Sequence, residues 1–391
     1  MLFLKFLFYL VVSKFLNVKK ILFCNNNLSG LIHFRKEVIC EYEKMGCEII
    51  IVVTKQLITE MELAELPKEW KVYLVSLNPN SINPFSDFRY FFELHNIYKK
   101  ERPDIIFHYT IKPNIYGTIV ARLYKLTNIA MVAGLGYMFE GDSLKKRIAR
   151  KLYKFSLRRA NKVICLNASN AEVLLKGNYC EHRNLIWFKG GEGVNLDTYS
   201  YKPMQFETTK FLMIARVLYD KGYSEYVEAA KIVKRKYPNI DIELLGPLAT
   251  DSPMGVPEEI VRNDHKNGFI KYLGVTNDVP SYVLRDGVIV VVVSKYLEGL
   301  NRVLMEACSM GRPIITTTNP GCQETVEDGV NGFLISPGDH LALAEAMMKF
   351  IELPQNKKRK MSEASRIKAK EVFDVKIVLE HYKLITKDIV L

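Results

Sequence analysis

The sequence is short of paired cysteines. Its seven, Cys24, Cys40, Cys47, Cys165, Cys180, Cys308 and Cys322, form no Cys-x-x-Cys pair and no cluster with histidine. That argues against a structural zinc module and against a disulfide framework, and fits a reducing, cytoplasmic compartment. There is no internal repeat on the scale of a solenoid unit and no long low-complexity segment. An uninterrupted membrane span is also lacking. The opening stretch MLFLKFLFYLVVSKFLNVKK is broken by Lys5, Ser13 and Lys14 and has no small-residue cleavage site before the first strand. Residues 1–17 read as an interfacial membrane helix or as a non-native upstream extension, and less readily as a span or signal.

Acidic residues are the minority, 43 against 55 lysines and arginines, a net charge of +12. Anionic partners are expected: phosphates, nucleic acid or acidic lipid. Nucleic acid is disfavoured, because no helix-turn-helix or zinc module is visible and the basic residues lack the interleaved aromatics of an RNA-reading sheet.

What is present is a chain of 391 residues, 48% hydrophobic, long enough for two domains with proper cores. From Lys19 onward, apolar strand-like runs alternate with helical patterns. KKILFCN and EIIIVVT read as parallel strands joined by the helix HFRKEVICEYEKMG, which Gly46 is placed to end. PDIIFHYT, IAMVAG and KVICLN continue the series. Around residues 190–210 periodicity fades into a connector, and a second series then starts with KFLMIA, IDIELLG, GFIKYLG, GVIVVVVS and PIITTT. All-apolar strands imply sheets covered by helices on both faces. The expectation is two open α/β, Rossmann-like domains facing a cleft, with ligands at the carboxyl ends of the strands. Residues 18–200 form the first domain and 201–370 the second, and a helix in 371–391 returns to the first.

Two stretches carry candidate chemistry. In FLMIARVLYDKGYSEYVEAA, Arg216 follows a strand and Lys221 precedes a helix; together they suit a diphosphate, or they are two solvated loop cations. In SKYLEGLNRVLMEACSMGRP, Gly299 permits a tight turn, Asn301 caps a helix, and free N–H groups from about Leu300 onward face an anion. Glu298 then either serves a ligand or complements the helix dipole, and Glu306 either serves a ligand or pairs with Arg302 at i, i+4.

MIARVLYDKG, EGLNRVLMEA, GRPIITT, GCQETVEDGVNGFL and, in the first half, YTIKPNIYG, GLG and GVNLD together resemble retaining glycosyltransferases of family 4, GT-B enzymes of bacterial capsule, O-antigen and glycan assembly. The resemblance runs from about Lys19 to residue 350. It implies that Arg216 and Lys221 hold a nucleotide diphosphate, that Glu298 reaches the donor sugar and Glu306 the ribose, and that Leu300 and Asn301 offer backbone N–H groups to the diphosphate. Ser29 and Gly30 match a small-residue loop near the donor phosphate and acceptor. His108 stands a few positions before the expected catalytic histidine, with Thr110 and Lys112 nearer that point; alternatively it is a structural hydrogen-bonder. Where the family often has proline, this chain has Val293 and Asn301. No Asp-x-Asp triplet occurs, and metal-independent chemistry is expected.

The implied donor is a UDP-sugar and the acceptor a polyprenyl diphosphate-linked saccharide, at the inner face of the plasma membrane. A non-hydrolysing UDP-sugar epimerase and a catalytically silent sugar-nucleotide-binding subunit are the rivals. Residues 143–162, SLKKRIARKLYKFSLRRANK, hold nine lysines and arginines and no acid, with Leu144, Ile148, Leu152 and Phe155 at helical spacing. That helix either meets an anionic membrane or packs its apolar stripe into the core. The aromatic-rich NPFSDFRYFFELHNIYKK is a second candidate for lipid or acceptor contact.

Overall fold

The computed structural model describes residues 18–78, 83–139, 141–296 and 298–390; the apolar opening segment, residues 1–17, lies outside them. The first domain runs β1 (Lys20–Cys24), α1 (Leu28–Lys44), β2 (Glu48–Thr54), α2 (Glu60–Ala64), β3 (Lys71–Val75), α3 (Pro84–Glu101), β4 (Ile105–Tyr109), α4 (Thr118–Leu123), β5 (Thr127–Val132), α5 (Leu144–Leu157), β6 (Lys162–Cys165), α6 (Ala168–Lys176) and β7 (Leu185–Trp187). Its strands are all parallel, in the order β3-β2-β1-β4-β5-β6-β7. The second domain runs β8 (Lys210–Ile214), α7 (Tyr223–Lys236), β9 (Asp241–Leu245), α8 (Glu258–Lys266), β10 (Lys271–Tyr272), α9 (Val279–Val283), β11 (Val288–Val292), α10 (Arg302–Ser309), β12 (Ile314–Thr317), β13 (Gly332–Ile335), α11 (His340–Glu352) and α12 (Gln355–Lys368). It repeats the pattern in the order β10-β9-β8-β11-β12-β13, again all parallel. The central strands are apolar throughout because helices cover both faces; every residue of β4 and of β11 is buried.

In each sheet the winding reverses between two neighbouring strands, β1 and β4 in the first and β8 and β11 in the second. Loops leaving those strands diverge and open a crevice at their carboxyl ends. This geometry brings together residues that are remote in sequence: Met213 pairs with Val291, so the loops holding Arg216 and Glu298 leave the sheet side by side.

The chain crosses between domains twice, and the crossings are hydrogen-bonded to each other. Val194 N–H donates to Phe373 O at 2.7 Å and Val375 N–H donates to Val194 O at 3.0 Å. The glycines of GGEG are required here: a Cβ on Gly190 would lie 2.0 Å from Val372 O, and one on Gly193 2.8 Å from Val375 Cα. After the second crossing, α13 (Val375–Val390) packs on the first domain, where Tyr42 Oη bonds Tyr382 O and Thr386 Oγ1 at 3.2 and 3.0 Å.

The structure shows which way the two candidate surface helices face. On α5 the buried residues are Tyr153, Ser156 and Leu157, whereas Leu144, Ile148, Leu152 and Phe155 are between 39% and 71% exposed. The apolar stripe faces outward, among the lysines and arginines. On α3, Phe85, Phe88 and Phe92 are exposed while Tyr90, Leu94 and Tyr98 are buried.

Candidate functional site at the second switch point

Arg216, two residues beyond β8, is exposed and forms no ion pair among the described residues. Lys221 lies in the helical turn that precedes α7. There Gly222 adopts a left-handed φ of 87°, and a Cβ on it would sit 2.3 Å from Val293 O, so glycine lets this turn lie against the end of β11. Glu298 leaves the same end of β11, and its Oε1 is 2.6 Å from Lys221 Nζ. The Lys221 ammonium also lies 5.1 Å from the centre of the Tyr296 ring. The site therefore carries one open guanidinium and one lysine held by a carboxylate, neither deeply buried. Cys322 is close by, but burial pushes its thiol up to about 12, with the Glu298 charge adding to the effect, so it stays protonated.

Glu306 follows on α10. Its Oε1 accepts from Arg302 Nε at 2.8 Å, the i, i+4 pairing the spacing allows, yet the pair is buried: Glu306 is 6% exposed. Arg302 Nη1 also donates to Gly193 O at 2.5 Å, reaching into the first domain crossing. Burial works against the Arg302 charge, and the Glu306 carboxylate outweighs it, raising the pKa. Across the boundary, Arg35 of α1 forms an ion pair with Glu192 and lies 4.0 Å from the centre of the Tyr109 ring. Burial raises the Glu192 pKa while Arg35 and Arg302 oppose the rise. Four alternating charges thus run from α1 through the crossing to α10.

Three expectations need correction. Asn301 does cap α10, its Oδ1 accepting from Leu304 N–H at 3.1 Å, but its own N–H already donates to Gly321 O at 2.7 Å and is not open to a ligand. Ser29 and Gly30 are not in a loop: they occupy the first turn of α1, and the Gly30 N–H is taken by Asn27 Oδ1 at 2.6 Å. Ser29 is exposed, and Leu300 is buried, meeting Gly191.

His108 is not at the crevice. It is fully buried, with Tyr98 Oη 2.8 Å from Nε2 and Thr118 Oγ1 3.4 Å from Nδ1. Burial lowers its pKa to about 3. Its place within β4 turns the side chain under the helices, making it a core hydrogen-bonder. Lys112 pairs with Asp87 at 2.6 Å, and Thr110, with a left-handed φ of 70°, ends the strand.

The sequence reading missed Asn167. This buried residue follows β6 and reaches across to the second domain: its Nδ2 donates to Glu298 O at 3.0 Å and Gly299 O at 2.5 Å. Only the preference of asparagine for helix starts was visible beforehand.

Residues 20–167 match the family described as Glycosyl transferase 4-like, and residues 204–368 match Glycosyl transferases group 1. The chain belongs to the family 4-like glycosyltransferases. A curated relative from Campylobacter jejuni, N,N'-diacetylbacillosaminyl-diphospho-undecaprenol alpha-1,3-N-acetylgalactosaminyltransferase, is 26% identical over 344 residues, covering 83% of this chain and 87% of that one. UDP-Gal:alpha-D-GlcNAc-diphosphoundecaprenol alpha-1,3-galactosyltransferase from Escherichia coli is 23% identical over 294 residues, 71% of this chain and 74% of its own. Among solved structures, a glycosyltransferase from Rickettsia africae superposes with a TM-score of 0.77 at 21% identity, covering 95% of this chain and 99% of that one. Two parallel-sheet domains joined by a double crossing give this glycosyltransferase the GT-B fold.

Proposed function

We propose that this glycosyltransferase moves a hexose of the Gal, GalNAc, Glc or GlcNAc type from a UDP-sugar to a hydroxyl of a polyprenyl diphosphate-linked saccharide, with retention, in capsule, O-antigen or exopolysaccharide assembly. The observation that carries the reading is the placement of Arg216 and of the Lys221–Glu298 pair at the carboxyl ends of the neighbouring strands β8 and β11. Two cations at a strand-end crevice suit a diphosphate. The names of the relatives, which act on diphospho-undecaprenol-linked sugars, support the acceptor.

In this reading a bound diphosphate draws Lys221 away from Glu298, leaving Glu298 to meet the donor sugar. Glu306, oriented by Arg302, takes the ribose hydroxyls. The bond between the anomeric carbon and the UDP oxygen breaks as the acceptor oxygen attacks on the same face, and the acceptor proton passes to the departing phosphate. Arg216 and Lys221 stabilise the charge that develops there, the part a divalent ion would otherwise take. Retained activity in a chelator is the expected result.

The outward apolar stripe of α5, set among basic residues, supports seating on an anionic membrane at the inner face of the plasma membrane. Among the described residues, no helix is long and apolar enough to cross a membrane.

The deciding experiment incubates the protein with a panel of UDP-sugars and a membrane extract as acceptor, reading UDP release and the anomeric configuration of the product. Turnover with a GDP-sugar alone would overturn the donor assignment. Epimerised free sugar formed without acceptor would overturn transfer itself.

A further inference from the structure

Asn167 does two jobs with one side chain. Its Oδ1 accepts from Asn170 N–H at 2.7 Å, capping α6, while its Nδ2 donates to the successive carbonyls of Glu298 and Gly299. The capping bond fixes the orientation of the amide, because a flipped side chain would place its oxygen against two carbonyl oxygens and its nitrogen against an N–H. The loop it holds is pressed on the first domain over a wider front. A Cβ on Gly299 would lie 1.6 Å from Ala133 O, and one on Gly191 2.8 Å from the Leu300 side chain. From its own domain the loop is tied by Asn301 N–H to Gly321 O, and a Cβ on Gly321 would meet Gly299 O at 2.4 Å. The backbone that aims the Glu298 carboxylate is thus fixed from both domains.

We propose that Asn167 is a positioning residue that couples the first domain to the donor loop of the second. Its amide holds the Glu298 and Gly299 carbonyls so that the Glu298 side chain points at Lys221, and that loop geometry is complete only while the two domains are in contact. The inference rests on the proposed role of Glu298 for its catalytic consequence, but the loop coupling itself is independent of that role. Serine at this position caps α6 and is too short to span to the loop; aspartate caps α6 and sets a carboxylate against two carbonyls.

The test uses N167S and N167D in the full chain. Amide hydrogen exchange, followed by mass spectrometry, is expected to speed up about tenfold in residues 298–304 in both variants, and in N167S the rest of the first domain stays unchanged and the melting temperature within about 2 °C of the parent. In transfer assays the donor KM rises about fivefold while the acceptor KM stays constant. Unchanged exchange in the loop overturns the proposal. So does faster exchange spread through α5, α6 and β6 with a matching loss of thermal stability, since that is the signature of a helix cap alone. If the parent protein binds no UDP while its loop exchange still responds to N167S, the donor reading fails and the coupling stands.

Discussion

Both domains wind their strands in the same order, but the crevices at the two switch points are filled differently. In the first, Asn27 takes the Gly30 N–H, Lys112 is paired with Asp87, and Arg35 lies over Tyr109 with Glu192 as its counter-ion. In the second, Lys221 is paired with Glu298 much as Lys112 is with Asp87, but Arg216 is exposed and forms no ion pair among the described residues. The topology supplies a crevice twice; the side chains at the strand ends decide which crevice keeps charge available for an anion. The charges of the first crevice are met by its own protein, whereas the second keeps one guanidinium, Arg216, exposed.

Four changes would break or sharpen that contrast. The largest effect is expected where the two regions meet. Arg302→Met leaves the Glu306 carboxylate buried without its cation, and should lower stability in chemical denaturation by about 3 to 5 kcal/mol, with R302M/E306L recovering much of the loss. Next, Arg216→Ala removes an exposed cation without touching the core, so kcat should fall about 100-fold or more at constant melting temperature. An unimpaired R216A enzyme would return the second crevice to the status of the first.

A third change concerns His108. The unfolded chain takes up a proton near pH 6.5 that the buried ring refuses until about pH 3, so stability is lost as pH falls through that window. The loss should reach about 2 kcal/mol by pH 5. His108→Gln should flatten the pH dependence of the melting temperature below pH 6.5 and preserve turnover; lost turnover at full stability would put the residue back in the chemistry. The smallest effect belongs to the outer face of α5. Replacing Leu144, Ile148 and Leu152 with serine should weaken co-sedimentation with anionic vesicles about tenfold, and leave UDP binding as it was.

Much of this was legible in the sequence for a physical reason. Strands buried on both faces must be apolar along their whole length, so β1, β2, β4 and β11 announce themselves. The edge strands β3, β7 and β13 are only five, three and four residues long, too short for a pattern to stand out. Helical spacing identified the apolar stripe of α5 but not its direction, because periodicity defines a face without saying what lies against it. Glu306 and Arg302 were visible as a spaced pair, whereas their burial depends on the crossing segment near Gly193. Asn167 is the clearest failure: its partners are more than a hundred residues away, and only the assembled domains bring them within reach.

The second crossing has a consequence for how the molecule is made. Tyr382 of α13 sits in the first domain's core beside Tyr42, Tyr109 and Phe107. As the chain leaves the ribosome, the first domain emerges early with that position empty, and it waits through the synthesis of the entire second domain for the helix that fills it. Domains usually finish folding in the order in which they are translated. Here the first to appear is the last to be completed, because its core closes only after the whole second domain has been made.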